Sequence, residues 1–256
     1  MDIRIEKISR MEDYKRIPAI QQSAWGFSEL DSEPHQLMTR VQKYGGLVLG
    51  LFLDGRMIGF SYSIIGRWEG EYFIYSHMLA VEKEHQQKGF GFRLKKAQRE
   101  EVIRMGYGIV RWNFDPLEST NSFFNIHRLG VTVDEYEEDV YGKGDSGLHR
   151  GLPTDRAIAT WRLDSPRVEE RMNRRIERNI LDDGVHIQTG DFSVSPAYIE
   201  IPRDIRTLKS LSMAEAGRWR METRELFEKS FARGFEAREI VFSRDDSRLF
   251  FQLEAR

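Results

Sequence analysis

The stretch YSHMLAVEKEHQQKGFGFRLKKAQREE, residues 75–101, decides how the chain is read. It passes from an apolar, strand-like segment through a polar hexapeptide into a segment with helical periodicity, with Gly89 and Gly91 set where the helix begins. Glycine inside a helix costs roughly 1 kcal/mol relative to alanine, so two of them there need a reason. The first amides of a helix have no intrahelical partners, and the helix dipole adds about half a positive charge at that end. Glycine also lets the backbone approach an anion closely and reach positive φ without a Cβ clash. The placement fits a diphosphate resting on the amides of residues 86–91, with Lys88 as a movable cation.

Working outward, residues 71–81 are aromatic, β-branched and mostly apolar, as a central strand requires. Residues 90–105 place Phe90, Leu94, Ala97, Val102 and Met105 on one helical sector, with Gly106 positioned to end the helix. Upstream, the spacing predicts a first strand around Ile3, Ile5 and Ile8, helices over 11–22 and 34–44, and a hairpin with strands at 47–53 and 56–65 around Asp54-Gly55. Downstream, 107–114 reads as a strand, 119–129 as a short helix, and 131–141 and 157–164 as strands. After Asp164 the texture changes. Ser165 and Pro166 open a polar helix in which Val168, Met172, Ile176 and Ile180 recur every four residues. A strand, a long amphipathic helix and a hairpin follow, a β-α-β-β extension.

Two familiar phosphate motifs fail here. A dinucleotide fingerprint needs a third glycine where Leu94 stands, and a nucleoside-triphosphate loop needs its lysine after the second glycine, whereas Lys88 precedes both. The pattern Gln86-x-x-Gly89-x-Gly91 instead resembles the Gln/Arg-x-x-Gly-x-Gly/Ala loop of the GCN5-related N-acetyltransferase (GNAT) superfamily, and the order of elements over residues 1–165 is similar to that family. The resemblance implies an α/β (α+β) fold with a mixed, mostly antiparallel central sheet flanked by helices, a GNAT domain at 1–165, and a connector helix plus C-terminal lobe at 166–256. It further implies coenzyme A or acetyl-CoA as co-substrate. The pantetheine arm would pair with amides around Leu79 and Val81, and the diphosphate would rest on Gln86, Gln87, Lys88, Gly89, Phe90 and Gly91. Asn121 would bond the pantetheine amides, although its spacing to Gly130 is two residues shorter than usual in the family.

Acyl transfer to an amine needs a base for the ammonium and polarisation of the carbonyl. YSHMLAV resembles the H-x-H-A-L-A-V strand of the arylalkylamine N-acetyltransferases, with Tyr75 and His77 at the two histidine positions. Residues 75 and 77 of a strand share a face. His77 is accordingly the candidate general base, the alternative being a packed core histidine. The family's tyrosine four residues before a Leu-Gly turn is replaced by Ile126, leaving His127, Tyr136, Tyr141 or water to protonate the leaving thiolate. Trp25 and Phe27 are candidates for an aromatic wall of the acceptor pocket. His149, Arg150 and Arg156 would suit an anionic amine such as an amino acid.

Composition narrows the classes. A chain of 256 residues with 40% hydrophobic content, including 16 Phe, can bury a real core, and a net charge of −2 argues against nucleic acid or acidic membranes as partners. Zero cysteine excludes an enzyme thioester, disulfides and thiolate zinc sites, so direct attack is the expected route. The six histidines show no metal-ligand spacing. The N-terminal MDIRIEKISR has no apolar h-region, and no run of about 18 apolar residues occurs, which gives the expectation of a cytoplasmic protein. The functional expectation is an acyl-CoA-dependent N-acyltransferase acting on a small-molecule amine, with acetyl or succinyl as donor group and a homodimer possible. The alternative is a non-catalytic coenzyme A sensor on the same fold.

Overall fold

The computed structural model describes residues 2–142, 151–181 and 189–256. Among them the chain forms two compact units, one on residues up to Trp112 and one on residues from Asn113 onward. This division precedes the expected one at residue 165, because the strands on either side of that position belong to the later unit.

The first unit contains β1 (Ile3–Lys7), α1 (Met11–Trp25), α2 (His35–Lys43), β2 (Leu47–Leu53), β3 (Arg56–Trp68), β4 (Glu71–Val81), α3 (Phe90–Arg104) and the start of β5 (Ile109–Phe114). Its strand order is β1-β2-β3-β4-β5, antiparallel until the parallel β4–β5 step. On one face α1 and α2 bring Tyr14, Ile17, Ile20 and Met38 onto Val48, Phe52, Met57, Phe60, Tyr62 and Ala80. Each large apolar side chain so buried stabilises the fold by about 1.5–3 kcal/mol.

Strand β4 departs from regularity in two ways. Tyr62 faces Met78 while Ser63 faces Ser76, so His77 is an extra residue on β4, a β-bulge. Pairing with β5 is confined to Ile74↔Val110 and Tyr75↔Arg111. Beyond Tyr75, one edge of β4 runs on to Val81 without a strand beside it among the described residues.

The second unit contains α4 (Ser119–Ser122), continued by a π-helical turn at Phe123–Arg128, then β6 (Thr132–Glu137), β7 (Arg156–Arg162), α5 (Pro166–Asn173), β8 (Asn179–Ile180), β9 (Ala197–Ile201), α6 (Ile205–Leu211), α7 (Met213–Ala232), β10 (Phe235–Phe242) and β11 (Leu249–Ala255). Its strand order is β7-β6-β10-β11-β9, with β8 alongside β10. The β-α-β-β arrangement is present with its helix broken in two, because Ser212 leaves the helical region and caps α7 by accepting from the Glu215 amide. The helix expected to run to Ile180 stops at Asn173: Ser165 caps its start as expected, but Arg174 is extended and Ile180 pairs with Phe242 in β8–β10. The apolar residues at every fourth position are thus shared between a helix and a strand.

The Asp54-Gly55 turn has both residues at positive φ, 48° and 84°, the geometry a two-residue hairpin demands. Asp54 also holds β1, since its Oδ1 accepts from the Asp2 amide at 2.8 Å and its amide donates to the Asp2 carbonyl at 2.9 Å. A Cβ at Gly55 would meet nothing within 4 Å, so substitution there tests backbone strain alone. Gly55→Val is expected to lower unfolding stability by about 1–2 kcal/mol in a urea titration with unchanged m-value.

Candidate functional site

The polar hexapeptide folds as a 3₁₀ turn at Lys83–His85 followed by a loop into α3. Gln87 and Gly89 adopt left-handed backbone, φ 60° and 80°, which curls the loop as in anion-binding nests. Among the described residues, the amides of Gln87, Lys88, Gly89, Phe90 and Gly91 donate to no carbonyl, and the first helical carbonyl used is that of Gly89, by Arg93. Gly89 is glycine because of its φ. Gly91 has another reason: a Cβ there would meet only Leu79 Cδ2, at 3.9 Å, so the bare backbone leaves open space. Side chains brace the loop from behind. Gln86 donates through Nε2 to the Val81 carbonyl at 3.0 Å, Lys88 donates to the Glu84 carbonyl at 2.9 Å, and the buried Phe90 ring meets His85 edge-on.

The open edge of β4 supplies a second row of donors. In an antiparallel ladder, hydrogen-bonded and non-hydrogen-bonded pairs alternate. Glu82 donates to the Ile58 carbonyl, so Ala80↔Phe60 and Met78↔Tyr62 are the bonded pairs, and the amides of Leu79 and Val81 point away from β3 along the edge that β5 leaves free. Loop amides and edge amides together can hold a long ligand with a polar arm and an anionic end.

The bulge directs His77 to the side of the sheet where α1 and α2 lie. Its Nε2 is 2.5 Å from Oε1 of Glu33, a residue of the α1–α2 connection. A carboxylate only accepts, so Nε2 carries the proton, and in a neutral ring Nδ1 keeps the lone pair. Glu33 is itself held: its amide donates to Gln21 Oε1 at 2.9 Å and its carbonyl accepts from Gln21 Nε2 at 3.2 Å, with Gln21 fully buried on α1. The other carboxylate oxygen, Oε2, is buried without a hydrogen-bond partner. Tyr62 meets the His77 ring edge-on at 5.6 Å, and Tyr75 lies 6.1 Å from it. Burial pushes the Tyr62 phenol up to about 12, with the Glu33 charge adding to it. Glu33 is not legible as a site residue in the sequence, because nothing in the pattern links it to a histidine 44 residues away. Tyr62 reads there as one of a run of sheet residues.

Other expected residues have different surroundings. Trp25 packs at the rim of the α1–α2 core, 5.1 Å from Phe27 and edge-on to Phe60, so the pair forms an aromatic patch partly in the core. Asn121 is exposed on α4 in the second unit. Arg156 is buried on β7, donates to the Asp155 carbonyl and lies 5.0 Å over the Tyr141 ring, which does not leave it the exposed fork expected for a carboxylate. His149 and Arg150 lie outside the described residues. His127 departs most from expectation. It is 1% exposed, with Nδ1 2.9 Å from Glu239 Oε1, Nε2 3.3 Å from the Ile176 carbonyl, and its ring stacked on Phe123. Burial disfavours ionising Glu239, but His127, Arg171 and Arg167 outweigh that and hold its carboxyl below the usual range. Both nitrogens of His127 are occupied, which makes it part of a buried polar core rather than an acid for the thiolate. Tyr136 is likewise engaged, donating to Asp155 at 2.8 Å.

Among the described residues, Glu82, Glu84 and His85 bring possible metal-ligand atoms within 4.8 Å of one another. Glu82 is already neutralised by Arg16 and Arg56, so the grouping is accounted for by ion pairs. No described helix is long and apolar enough to cross a membrane.

Comparison with known proteins converges on one class. Residues 13–124, which contain the loop, the bulged strand and Glu33, match the model of the Acetyltransferase (GNAT) family. Solved structures with the same fold include the ribosomal-protein-S18-alanine N-acetyltransferase from Escherichia coli (16% identity, TM-score 0.51, 64% of this chain and 96% of that one). An N-acetyltransferase from Staphylococcus aureus Mu50 aligns with 15% identity and TM-score 0.52 over 64% of this chain and 100% of its own. The NatC complex bound to Gag peptide and CoA aligns with 12% identity and TM-score 0.50, over 63% and 99%. A search of curated proteins gave no match.

The proximity of Glu33 to Tyr62 can be measured. In Glu33→Gln, the Tyr62 phenol is expected to titrate at lower pH than in the parent, toward its ordinary value, because a negative neighbour disfavours the phenolate. Ultraviolet difference titration against a Tyr62→Phe blank reads this directly, and an unmoved transition would show that the charge does not reach the ring.

Proposed function

We propose that the chain transfers an acetyl group from acetyl-CoA to a small-molecule amine by direct attack, with His77 as general base. The observation that carries this is the His77–Glu33 pair, set at a bulge beside the free edge of β4. The donor supplies an acyl group activated as a thioester. The free amides of residues 87–91 would hold its diphosphate, and those of Leu79 and Val81 its amide-bearing arm, with Gly91 keeping the cradle open. Glu33 fixes the imidazole with Nε2 protonated, so Nδ1 takes the ammonium proton. The freed amine then attacks the acyl carbon to form the C–N bond, the C–S bond breaks, and the departing thiolate takes up, directly or through water, the proton that the nitrogen loses. The leaving thiolate needs little assistance at neutral pH, which is consistent with a chain whose His127 is engaged elsewhere.

Glu33 also bears on the acceptor. Its Oε2 is buried without a hydrogen-bond partner, and its negative charge beside His77 favours a cation over an anion there. Residues 17–39 carry Glu29, Asp31 and Glu33 and no lysine or arginine. With Arg156 buried in the second unit, the balance favours a cationic amine over an amino acid whose carboxylate would face these charges. The acceptor we propose is therefore a primary amine without an adjacent carboxylate. A coenzyme A sensor is the second reading, favoured by the missing tyrosine at Ile126.

Release of free thiol from acetyl-CoA, measured across a panel of amines and amino acids with succinyl-CoA as a parallel donor, separates these. Turnover with simple or polycationic amines is expected; tight binding of coenzyme A with no turnover on any acceptor or donor would favour the sensor. His77→Ala is expected to lower kcat roughly a hundredfold or more near neutral pH, with the deficit closing as pH rises and the amine deprotonates unaided. A flat ratio of variant to parent across pH 6–9 would remove His77 from the role.

Gly91→Val separates the cradle from the fold. It is expected to weaken coenzyme A binding tenfold or more, about 1.4 kcal/mol, in calorimetry, at an unchanged melting temperature. Unchanged affinity would show that the space above Gly91 is not used.

A further inference from the structure

Behind the bulge, on the α3 side of the sheet, lies a buried polar cluster that the proposed chemistry does not use. Gln98 of α3 is fully buried and donates through Nε2 to two serine oxygens, Ser63 Oγ of β3 at 2.8 Å and Ser76 Oγ of β4 at 2.9 Å. Lys95, one turn earlier and 3% exposed, donates to Ser76 Oγ at 3.0 Å and to Gln98 Oε1 at 3.1 Å, with its Nζ 3.5 Å from the centre of the Trp112 ring on β5. Burial lowers the Lys95 ammonium well below its usual range. Such a group is costly in a core unless its partners are fixed.

The position of the cluster gives it a purpose. Ser63↔Ser76 is the first rung beyond the bulge, where the ladder resumes after the extra residue. Side chains alternate along a strand, and a one-residue slip turns each to the other face. The bulge is what lets Ser76 face α3 while His77 and Met78 serve the α1–α2 side, Met78 packing on that core. Moved one rung along, the extra residue would be Ser76 or Met78. His77 would then lose its orientation toward Glu33, and the two serines would no longer stand together under one amide. Gln98 spans both serines and so reads the register across two strands. Lys95 joins that rung to Trp112 on the far side of the β4–β5 opening.

We infer that Gln98, backed by Lys95, is a positioning residue: its bonds to Ser63 and Ser76 lock the bulge in register and thereby set the orientation of His77 toward Glu33. The catalytic consequence rests on the reading of His77 as general base; the structural consequence does not. A displaced general base in an otherwise intact site costs ten- to a hundredfold in rate.

The test compares Gln98→Leu, which removes the amide, with Val102→Ala, which removes part of a buried apolar side chain one turn along the same helix that has no polar atom to bond either serine. Ring ¹⁵N signals of His77, assigned by loss in His77→Ala, report its tautomer and its bond to Glu33. In Gln98→Leu those signals are expected to shift toward an averaged tautomer, and kcat to fall tenfold or more with KM for acetyl-CoA within about twofold. Val102→Ala should lose stability without either change. If Gln98→Leu does not fold, Ser63→Ala removes a single bond of the cluster and is expected to move the same signals in the same direction by less. Unmoved His77 signals in a folded Gln98 or Ser63 variant would overturn the inference. Shifted signals with unchanged kcat would uphold the lock and count against His77 as the base.

Discussion

One surplus residue in β4 governs the site. A regular antiparallel pairing of β3 with β4 would alternate side chains without interruption, and the strand could not give Ser76 to α3 while giving His77, Met78 and Ala80 to the α1–α2 side. The bulge changes the phase between two packed layers, each satisfied only on its own face. It occurs just where β4 and β5 stop bonding, two rungs into their contact. The same few residues therefore provide a reoriented imidazole, a free row of amides and a resumed ladder. A bulge disrupts hydrogen bonds locally, and the surrounding contacts, Glu33 on one side and Gln98 on the other, are those that stabilise it.

The proposed anion recognition and proton transfer draw on different materials. The loop into α3 presents backbone, with left-handed residues, unpaired amides and a glycine with room above it, and is braced from behind by Gln86 and Lys88. The proposed base relies on side chains drawn from distant parts of the chain, with Gln21 holding the Glu33 backbone and Glu33 holding His77. This difference explains what the sequence discloses. Local backbone chemistry leaves a contiguous pattern, so QQKGFG, the Asp54-Gly55 turn and the 71–81 strand are all legible from spacing and residue type. The dyad spans 44 residues and the Gln98 cluster joins two strands to a helix, and no periodicity records such meetings.

The departures from expectation have equally specific causes. Ile176 and Ile180 continue a four-residue spacing, but Ile180 finds its neighbours in a sheet, through pairing with β10. His127 follows Ile126, where the motif read from the sequence would have a tyrosine, yet the π-helical turn directs its ring into a core of Phe123, Glu239 and Arg171. Arg156 has the sequence context of a loop cation and is a strand residue. In each case tertiary partners distant in sequence, or on the opposite strand, decide what the side chain faces.

The bond from Gln86 to the Val81 carbonyl fastens the loop to the last residue of β4. At about 3.3 Å per strand residue, less a little for the bulge, some 13 Å separate that knot from His77. In the proposed function the strand acts as a gauge between two marks, one for charge and one for the transferable group. Under the proposed function, a thioester on a shorter tether would have to surrender one mark to reach the other, so the length of a donor's arm would count before any contact with the acyl group is made.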